Sequence, residues 1–313
     1  MRLGVSLDDP AGADPLGALR EQIAAAAADG FSSAWLSHIF GLDALTALAV
    51  AGRDLPGIEL GTAVVPTYPR HPAALAQQAL TVQSALDGRL VLGIGLSHRI
   101  VIEDMFGYSF EKPARHMREY LEVLVPLLRD GAVGFTGETV RAAIGLSAPR
   151  AHATPVLLAA LAPQMLRLAG SVADGTVLWM TGPETIAGHI VPKLNEAAAT
   201  AGRPDPRVVC TLPVCVTADP DGARERATNV FSIYGQLPSY RAMLDLEGAA
   251  GPGDVAIVGD ESTVAAGIAH LATIGVTDFA AATFGDEADR TRTRALLGEL
   301  ARSASGGSDG EGG

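Results

Sequence analysis

A closed (β/α)8 barrel is the fold class this sequence predicts, and three observations predict it. Short apolar runs alternate with longer alanine- and leucine-rich stretches at helical spacing, the pattern of βα units on a parallel sheet. Glycines and prolines fall at the junctions where helices should end and start. The strand candidates number eight, which suits a closed barrel better than an open doubly wound sheet.

Arg2 to Leu7, Ser33 to Ser37, Ile58 to Val65 and Leu90 to Gly95 read as the first four strands. Helices over Asp14 to Asp29, Leu42 to Gly52 and Pro72 to Leu86 separate them, with Gly30, Gly52 and Gly88 at expected C-caps and Pro72 at a helix start. A longer helix covers Pro113 to Leu128. Gly134 to Arg141, inside an insertion near 132–153, reads as an extended excursion or hairpin. The rhythm resumes with a strand at Pro155 to Leu161, a helix at Pro163 to Ala173, a strand at Thr176 to Met180 and a helix at Pro183 to Ala201. The strand Arg207 to Thr217 precedes a helical region from Asp221 to about Leu246. A helix at Ser262 to Gly275, a strand at Asp278 to Phe284 and a helix at Asp289 to Arg302 close the barrel. Residues 1–302 are thus expected to form one domain. Ser303 to Gly313, nearly all Ser, Gly and acidic, is expected to be a disordered tail.

Of the 313 residues 48% are hydrophobic and 19% charged, enough for one large core, and no second core is visible. Lysine and arginine total 23 against 35 aspartate and glutamate, a net charge of −12, which argues against nucleic acid or an anionic membrane as partner. The apolar stretches Ala44 to Ala51 and Val156 to Ala162 end well short of the ~20 residues a bilayer span needs. The N-terminus lacks the marks of a signal peptide, so the expected compartment is the cytoplasm. Cys210 and Cys215, about 16 Å apart if extended, are expected to be buried thiols rather than a disulfide. GxGxxG, Walker, HExxH and GxSxG motifs are absent. Gly93-Ile94-Gly95 lacks the third glycine of a dinucleotide fingerprint, and no metal site is expected.

In a barrel of this kind, function belongs where the strands end and the βα loops converge. The polar strand ends are Ser6-Leu7-Asp8, Ser37-His38, Thr62-Ala63-Val64 and Gly95-Leu96-Ser97-His98-Arg99. His38 and His98 could each donate a hydrogen bond or move a proton near neutral pH. Two such histidines on what read as adjacent strands, with a Gly-x-Gly allowing close approach, favour a site over strand caps. His71, His116, His152, His189 and His270 fall in helices or connections and read as structural. Trp35 and Trp179 read as packing residues, Met180-Thr181-Gly182 as the possible edge of a pocket, and Arg99, Arg115 and Arg118 as solvated helix-face charges.

The run Leu60-Gly61-Thr62-Ala63-Val64-Val65-Pro66-Thr67-Tyr68-Pro69-Arg70-His71-Pro72, then Ala76-Gln77-Gln78-Ala79 and Gly88-Arg89-Leu90-Val91-Leu92-Gly93-Ile94-Gly95, resembles the bacterial luciferase-like monooxygenase superfamily. It looks most like the branch using the deazaflavin coenzyme F420, such as the F420-dependent glucose-6-phosphate dehydrogenases and methylenetetrahydromethanopterin reductases. Phe135-Thr136-Gly137-Glu138, Ala159 to Pro163 with Leu166 to Gly170, and Ala173-Asp174-Gly175 extend the resemblance over most of the chain.

The resemblance implies a luciferase-like TIM barrel with insertions and an F420-dependent oxidoreductase moving a hydride between deazaflavin C5 and a small organic substrate. FMN is the alternative cofactor, with monooxygenation served by a separate flavin reductase; a barrel that binds ligand without turnover is the third reading. A non-prolyl cis peptide behind the cofactor ring would fall at Ala63-Val64. Ser37, His38, Gly95, Ser97 and His98 match positions beside the ring, and Leu161 and Ala162 match the phosphate-binding backbone at the start of the fifth helix. Ser37 stands where the glucose-6-phosphate branch has an aspartate and His98 where it has its glutamate acid. That departure argues against a sugar phosphate and makes His98 the first and His38 the second candidate acid. A homodimer is common in the family.

Overall fold

Eight parallel strands close on themselves in the computed structural model, which describes residues 1–55 and 57–306. In chain order the strands are β1 (Arg2–Leu7), β2 (Ser33–Leu36), β3 (Glu59–Thr62) with its continuation β4 (Val65–Pro66), β5 (Leu90–Gly95), β6 (Ala132–Thr136), β7 (Arg141–Gly145), β8 (Val156–Leu158), β9 (Gly175–Trp179), β10 (Arg207–Val216), β11 (Ile257–Gly259) and β12 (Asp278–Thr283). The ring runs β1-β2-β3-β5-β8-β9-β10-β12 and back to β1. β11 pairs with β10 outside it, and β6 and β7 form a separate antiparallel hairpin in the insertion.

The helices are α1 (Pro15–Ala28), α2 (Ala44–Gly52), α3 (Pro72–Ala85), α4 (Pro113–Arg129), α5 (Pro163–Ser171), α6 (Pro183–Thr185), α7 (Val191–Thr200), α8 (Pro220–Val230), α9 (Pro238–Glu247), α10 (Glu261–Thr273) and α11 (Glu287–Gly306). Asp14, Asp43, Asp219 and Asp260 cap α1, α2, α8 and α10 by accepting a backbone N–H in the first turn. A π-helical turn, Ile186–Ile190, joins α6 to α7, and another, Ile100–Met105, follows β5.

Three expectations are corrected. The helical region from Asp221 to Leu246 is broken by a 3₁₀ turn at Ser232–Gly235, and α9 restarts at Pro238, whose ring suits a first turn but not a helix interior. Gly52 is no C-cap: it ends α2 itself, where a Cβ would meet a Leu60 methyl at 2.2 Å. Gly30 and Gly88 do take the left-handed conformation, at φ 90° and 84°. The closing helix passes Arg302 and runs to Gly306, so the tail does not begin at Ser303; residues 307–313 lie outside the described residues.

Strand alternation sorts the inward side chains into layers. At the N-terminal end Arg207 bridges Glu59 (2.8 Å) and Asp278 (2.7 Å), closing the barrel floor. Above it Trp35, Val91, Leu157, Val177, Val209 and Ala280 form a fully buried inner core. One layer higher, Ser6, Ser37, Ala63, Val64, Ala159, Trp179 and Ala282 are all only partly buried. The barrel is therefore filled below and open above. Cys210 and Cys215 are both free and buried, on opposite faces of β10. Among the described residues no helix is long and apolar enough to cross a membrane.

Candidate active site at the barrel mouth

The open upper layer is shaped by a bulge in the third strand. β3 pairs with β5 through Gly61 opposite Val91, and pairing resumes in β4 with Val65 opposite Ile94. Four steps on one strand face three on the other, so one residue is extra. The Ala63–Val64 peptide in this bulge is cis, at the place the resemblance named. The Thr62 hydroxyl replaces the missing ladder, donating to the Gly93 carbonyl (2.8 Å) and accepting from the Gly93 N–H (2.9 Å). Gly93 must be glycine because the Thr62 carbonyl lies 1.9 Å from where a Cβ would stand. A Cβ on Gly95 would meet Val64 at 2.6 Å and Ala159 at 3.2 Å. The Gly-x-Gly thus admits the bulge of the neighbouring strand. With Ala159, the exposed faces of Ala63 and Val64 make a small apolar floor over Trp35.

His38 stands at one side of this floor, after β2. The Ala44 N–H, in the first turn of α2, donates to its Nδ1 at 3.1 Å, so Nδ1 is an acceptor and the neutral ring carries its proton on Nε2. Burial and the Arg70 guanidinium lower its pKa, while Asp43, 4.0 Å from Nδ1, opposes them. Arg70 is itself bound to Asp43 at 2.5 Å, and Gln78 donates to the same carboxylate.

His98 and Ser97 follow β5. Ser97 takes a left-handed φ of 60°, uncommon for a non-glycine residue and shared here with Asp87, Lys112 and Met180. Burial alone lowers the His98 pKa, and its ring lies 5.7 Å from Tyr240. His38 and His98 are not on adjacent strands, because β3 separates β2 from β5. From His98 an arc of rings crosses the mouth: Tyr240 meets Tyr234, Tyr234 meets Trp179, and Trp179 meets Phe231, each pair within 5.2–5.6 Å and edge-on.

Leu161 and Ala162 do fall at the start of α5, with Ala162 as N-cap and no side chain capping that end. They border a cavity of about 550 Å³ shared with His189 and α9. His189 meets the Leu161 carbonyl at 2.8 Å.

Several residues carry more than sequence reasoning gave them. His116 pairs with the Thr67 hydroxyl at 3.1 Å and stacks on Tyr68 at 4.0 Å, beside a second cavity of about 430 Å³. Burial pushes its pKa down to about 4. Trp179 lies in the open layer instead of in the core. Met180, in contrast, is wholly buried. Arg99 and Arg115 are ion-paired, with Glu103 and Glu138, rather than simply solvated. None of these contacts follows from helical or strand periodicity; only Thr67-Tyr68, at the end of the resembling run, marked the neighbourhood. Among the described residues no group of His, Cys, Asp or Glu is placed to hold a metal ion.

A parallel eight-stranded barrel, closed below by an ion cluster and open above over an apolar floor with His38 and His98 at the strand ends, is a (β/α)8 enzyme scaffold. The chain belongs to the luciferase-like monooxygenase family, whose sequence pattern matches residues 1–278. It is 30% identical over 241 residues, 70% of this chain and 68% of the other, to a Mycobacterium tuberculosis protein named "putative coenzyme F420-dependent oxidoreductase". Among solved structures it resembles the coenzyme F420-dependent tetrahydromethanopterin reductase of Methanopyrus kandleri (TM-score 0.78, 23% identity, 95% and 97% of the two chains). It also resembles the FMN-bound oxygenating component of 3,6-diketocamphane monooxygenase of Pseudomonas putida (TM-score 0.75, 17% identity, 96% and 97%).

Proposed function

We propose that this protein is an F420-dependent oxidoreductase acting on a small organic molecule. The observation that carries the reading is the bulge at Ala63–Val64: it presents a flat, partly exposed apolar patch at the strand ends, which suits one face of a fused aromatic ring. Ser37 and the Nε2–H of His38 would bind polar atoms at the ring edge. The uncapped N–H groups at the start of α5, next to Leu161 and Ala162, would take the phosphate. When bound, the deazaflavin exchanges two electrons with the substrate as a hydride.

His98, at the end of β5 with its pKa lowered by burial, would handle the companion proton. Neutral at pH 7, it would accept the proton released when a substrate C–H and O–H are oxidised, and return it in the reverse direction. His38 is held by Ala44 as a hydrogen-bond donor, a role for binding more than for proton transfer.

Titration of the purified protein with oxidised F420 and, separately, with FMN tests the assignment, following cofactor absorbance and tryptophan quenching. Tight binding of F420 alone is the expected result. Preference for FMN would replace the proposal with oxygen chemistry, as in the FMN-bound neighbour, and binding of neither would refute a cofactor role for the mouth.

A further inference from the structure

His38 sits between two groups that could engage its Nδ1 atom, and they require opposite proton positions. The Ala44 N–H donates to Nδ1 at 3.1 Å, which requires that nitrogen to be bare. The Asp43 carboxylate, with Oδ2 4.0 Å from the same atom, would instead accept a proton carried there. A histidine that donates Nδ1–H to a carboxylate has a basic Nε2 and is readily charged. One that accepts at Nδ1 stays neutral and offers Nε2–H as a donor. The outcome at the mouth therefore depends on whether Asp43 is free.

Asp43 is fully occupied. Its Oδ1 caps α2 by accepting from the Thr46 N–H at 2.9 Å, and takes a second bond from Gln78 of α3 at 3.2 Å. Its Oδ2 is bound by Nη2 of Arg70, in the turn after β4, at 2.5 Å. Capping does not require this arginine: among the described residues the other aspartate caps, Asp14, Asp219 and Asp260, hold their helices without an ion pair. Arg70 is fixed through its own backbone, its N–H donating to the Thr67 carbonyl at 3.2 Å and its carbonyl accepting from the buried Tyr120 hydroxyl at 3.0 Å. The Arg70 and Asp43 side chains are 24% and 35% exposed, so the pair is less screened than one on the open surface. Arg70 acts on His38 in two ways. It takes the oxygen that would attract an Nδ1–H, and its charge adds to burial in disfavouring the imidazolium, with Asp43 opposing both.

We propose that Arg70 is a positioning residue for His38: by engaging Asp43 it reserves Nδ1 for the Ala44 N–H and keeps the ring a neutral Nε2–H donor at the barrel mouth. The consequence rests on the functional reading, which it deepens: a donor fixed in this way binds an acceptor atom of cofactor or substrate and leaves proton transfer to another group.

The test uses the intact protein without cofactor, labelled with nitrogen-15 at histidine, the His38 signals being identified by their loss in His38→Gln. Two-bond proton–nitrogen NMR spectra report tautomer and titration together. In the native protein His38 should show a bare Nδ1 and a protonated Nε2 at neutral pH. Arg70→Met, which frees Oδ2, should raise the midpoint of the His38 titration by about one pH unit and populate the Nδ1–H form. Arg70→Lys, which restores the charge, should reverse most of that change. Asp43→Asn, which keeps a capping side chain but removes the anion, should lower the midpoint, and it decides the question even if Arg70→Met does not fold. An arginine with a structural role alone would change stability and leave the His38 signals where they are. Nδ1–H in the native protein, an unchanged His38 titration in Arg70→Met, or an unchanged midpoint in Asp43→Asn would overturn the proposal. An F420 titration of the same proteins keeps the two readings apart: if the native protein binds no F420, the cofactor assignment fails while the tautomer result stands.

Discussion

Replacing Gly93 by alanine tests the construction of the bulge. An ideal Cβ there would lie 1.9 Å from the Thr62 carbonyl oxygen, against an ordinary contact of 3.4–4 Å, and 3.2 Å from Val64. The obstacle is backbone on a strand held from both sides, so it cannot rotate away. Relieving the clash must separate β3 from β5 by more than 1 Å. That strain costs about 1–3 kcal/mol, and it breaks the two buried Thr62–Gly93 hydrogen bonds, each about 1 kcal/mol. A total of roughly 4 kcal/mol, at about 2 °C per kcal/mol for a chain of this size, lowers the melting temperature by about 8 °C. Gly134→Ala is the control, since nothing lies within 4 Å of its Cβ position. Both proteins would be melted by circular dichroism without cofactor. A fall of less than about 3 °C for Gly93→Ala, or an equal fall for the control, would refute the steric account.

Three further outcomes are expected. Thr211→Val should raise the melting temperature by about 2 °C in the cofactor-free protein, because a buried hydroxyl without a partner costs about 1 kcal/mol or more that a methyl does not. Arg207→Ala should destabilise the fold by about 2 kcal/mol in urea unfolding, since it takes from Asp278, only 3% exposed, and from Glu59 their nearest cation and leaves them Arg2 at 3.4 and 3.3 Å. The third concerns His116, whose folded pKa of about 4 lies below its unfolded value of 6.5. Between these values the unfolded chain binds the proton and the folded one does not. Stability should therefore fall as pH drops from about 6.5 towards 4, by about 2 kcal/mol after allowing for the ring's partial exposure, and His116→Gln should flatten that slope in pH-dependent denaturation curves.

The barrel was legible because its signals are local. β1 and β5 follow the apolar runs residue for residue, and prolines at 72, 113, 163 and 183 each open a helix, since proline fits a first turn and little else. β11 escaped because three residues, Ile257–Gly259, carry no period. The break before α9 escaped because helical spacing continues across it. At the mouth, resemblance located the Ala63–Val64 bulge, whereas the reason for Gly93 and Gly95 lies in atoms about thirty residues away on another strand. The unpartnered hydroxyl of Thr211 was beyond reach for the same kind of reason: a threonine in a β-rich stretch looks like any other until its neighbours are known to offer it nothing.

The turn at Ile186–Ile190 has a consequence for how this chain could change over time. A π-helical turn contains one residue more than the α-helical turn it replaces. Because the extra residue is absorbed within that turn, removing one would restore an ordinary helix with α6 and α7 little rotated, and only the backbone of the turn itself would retract. His189 lies in that turn and meets the Leu161 carbonyl at 2.8 Å, so this contact and the cavity wall it supports would shift while α7 stayed in place. The geometry beside α5 is thus encoded by a residue count as much as by residue identity.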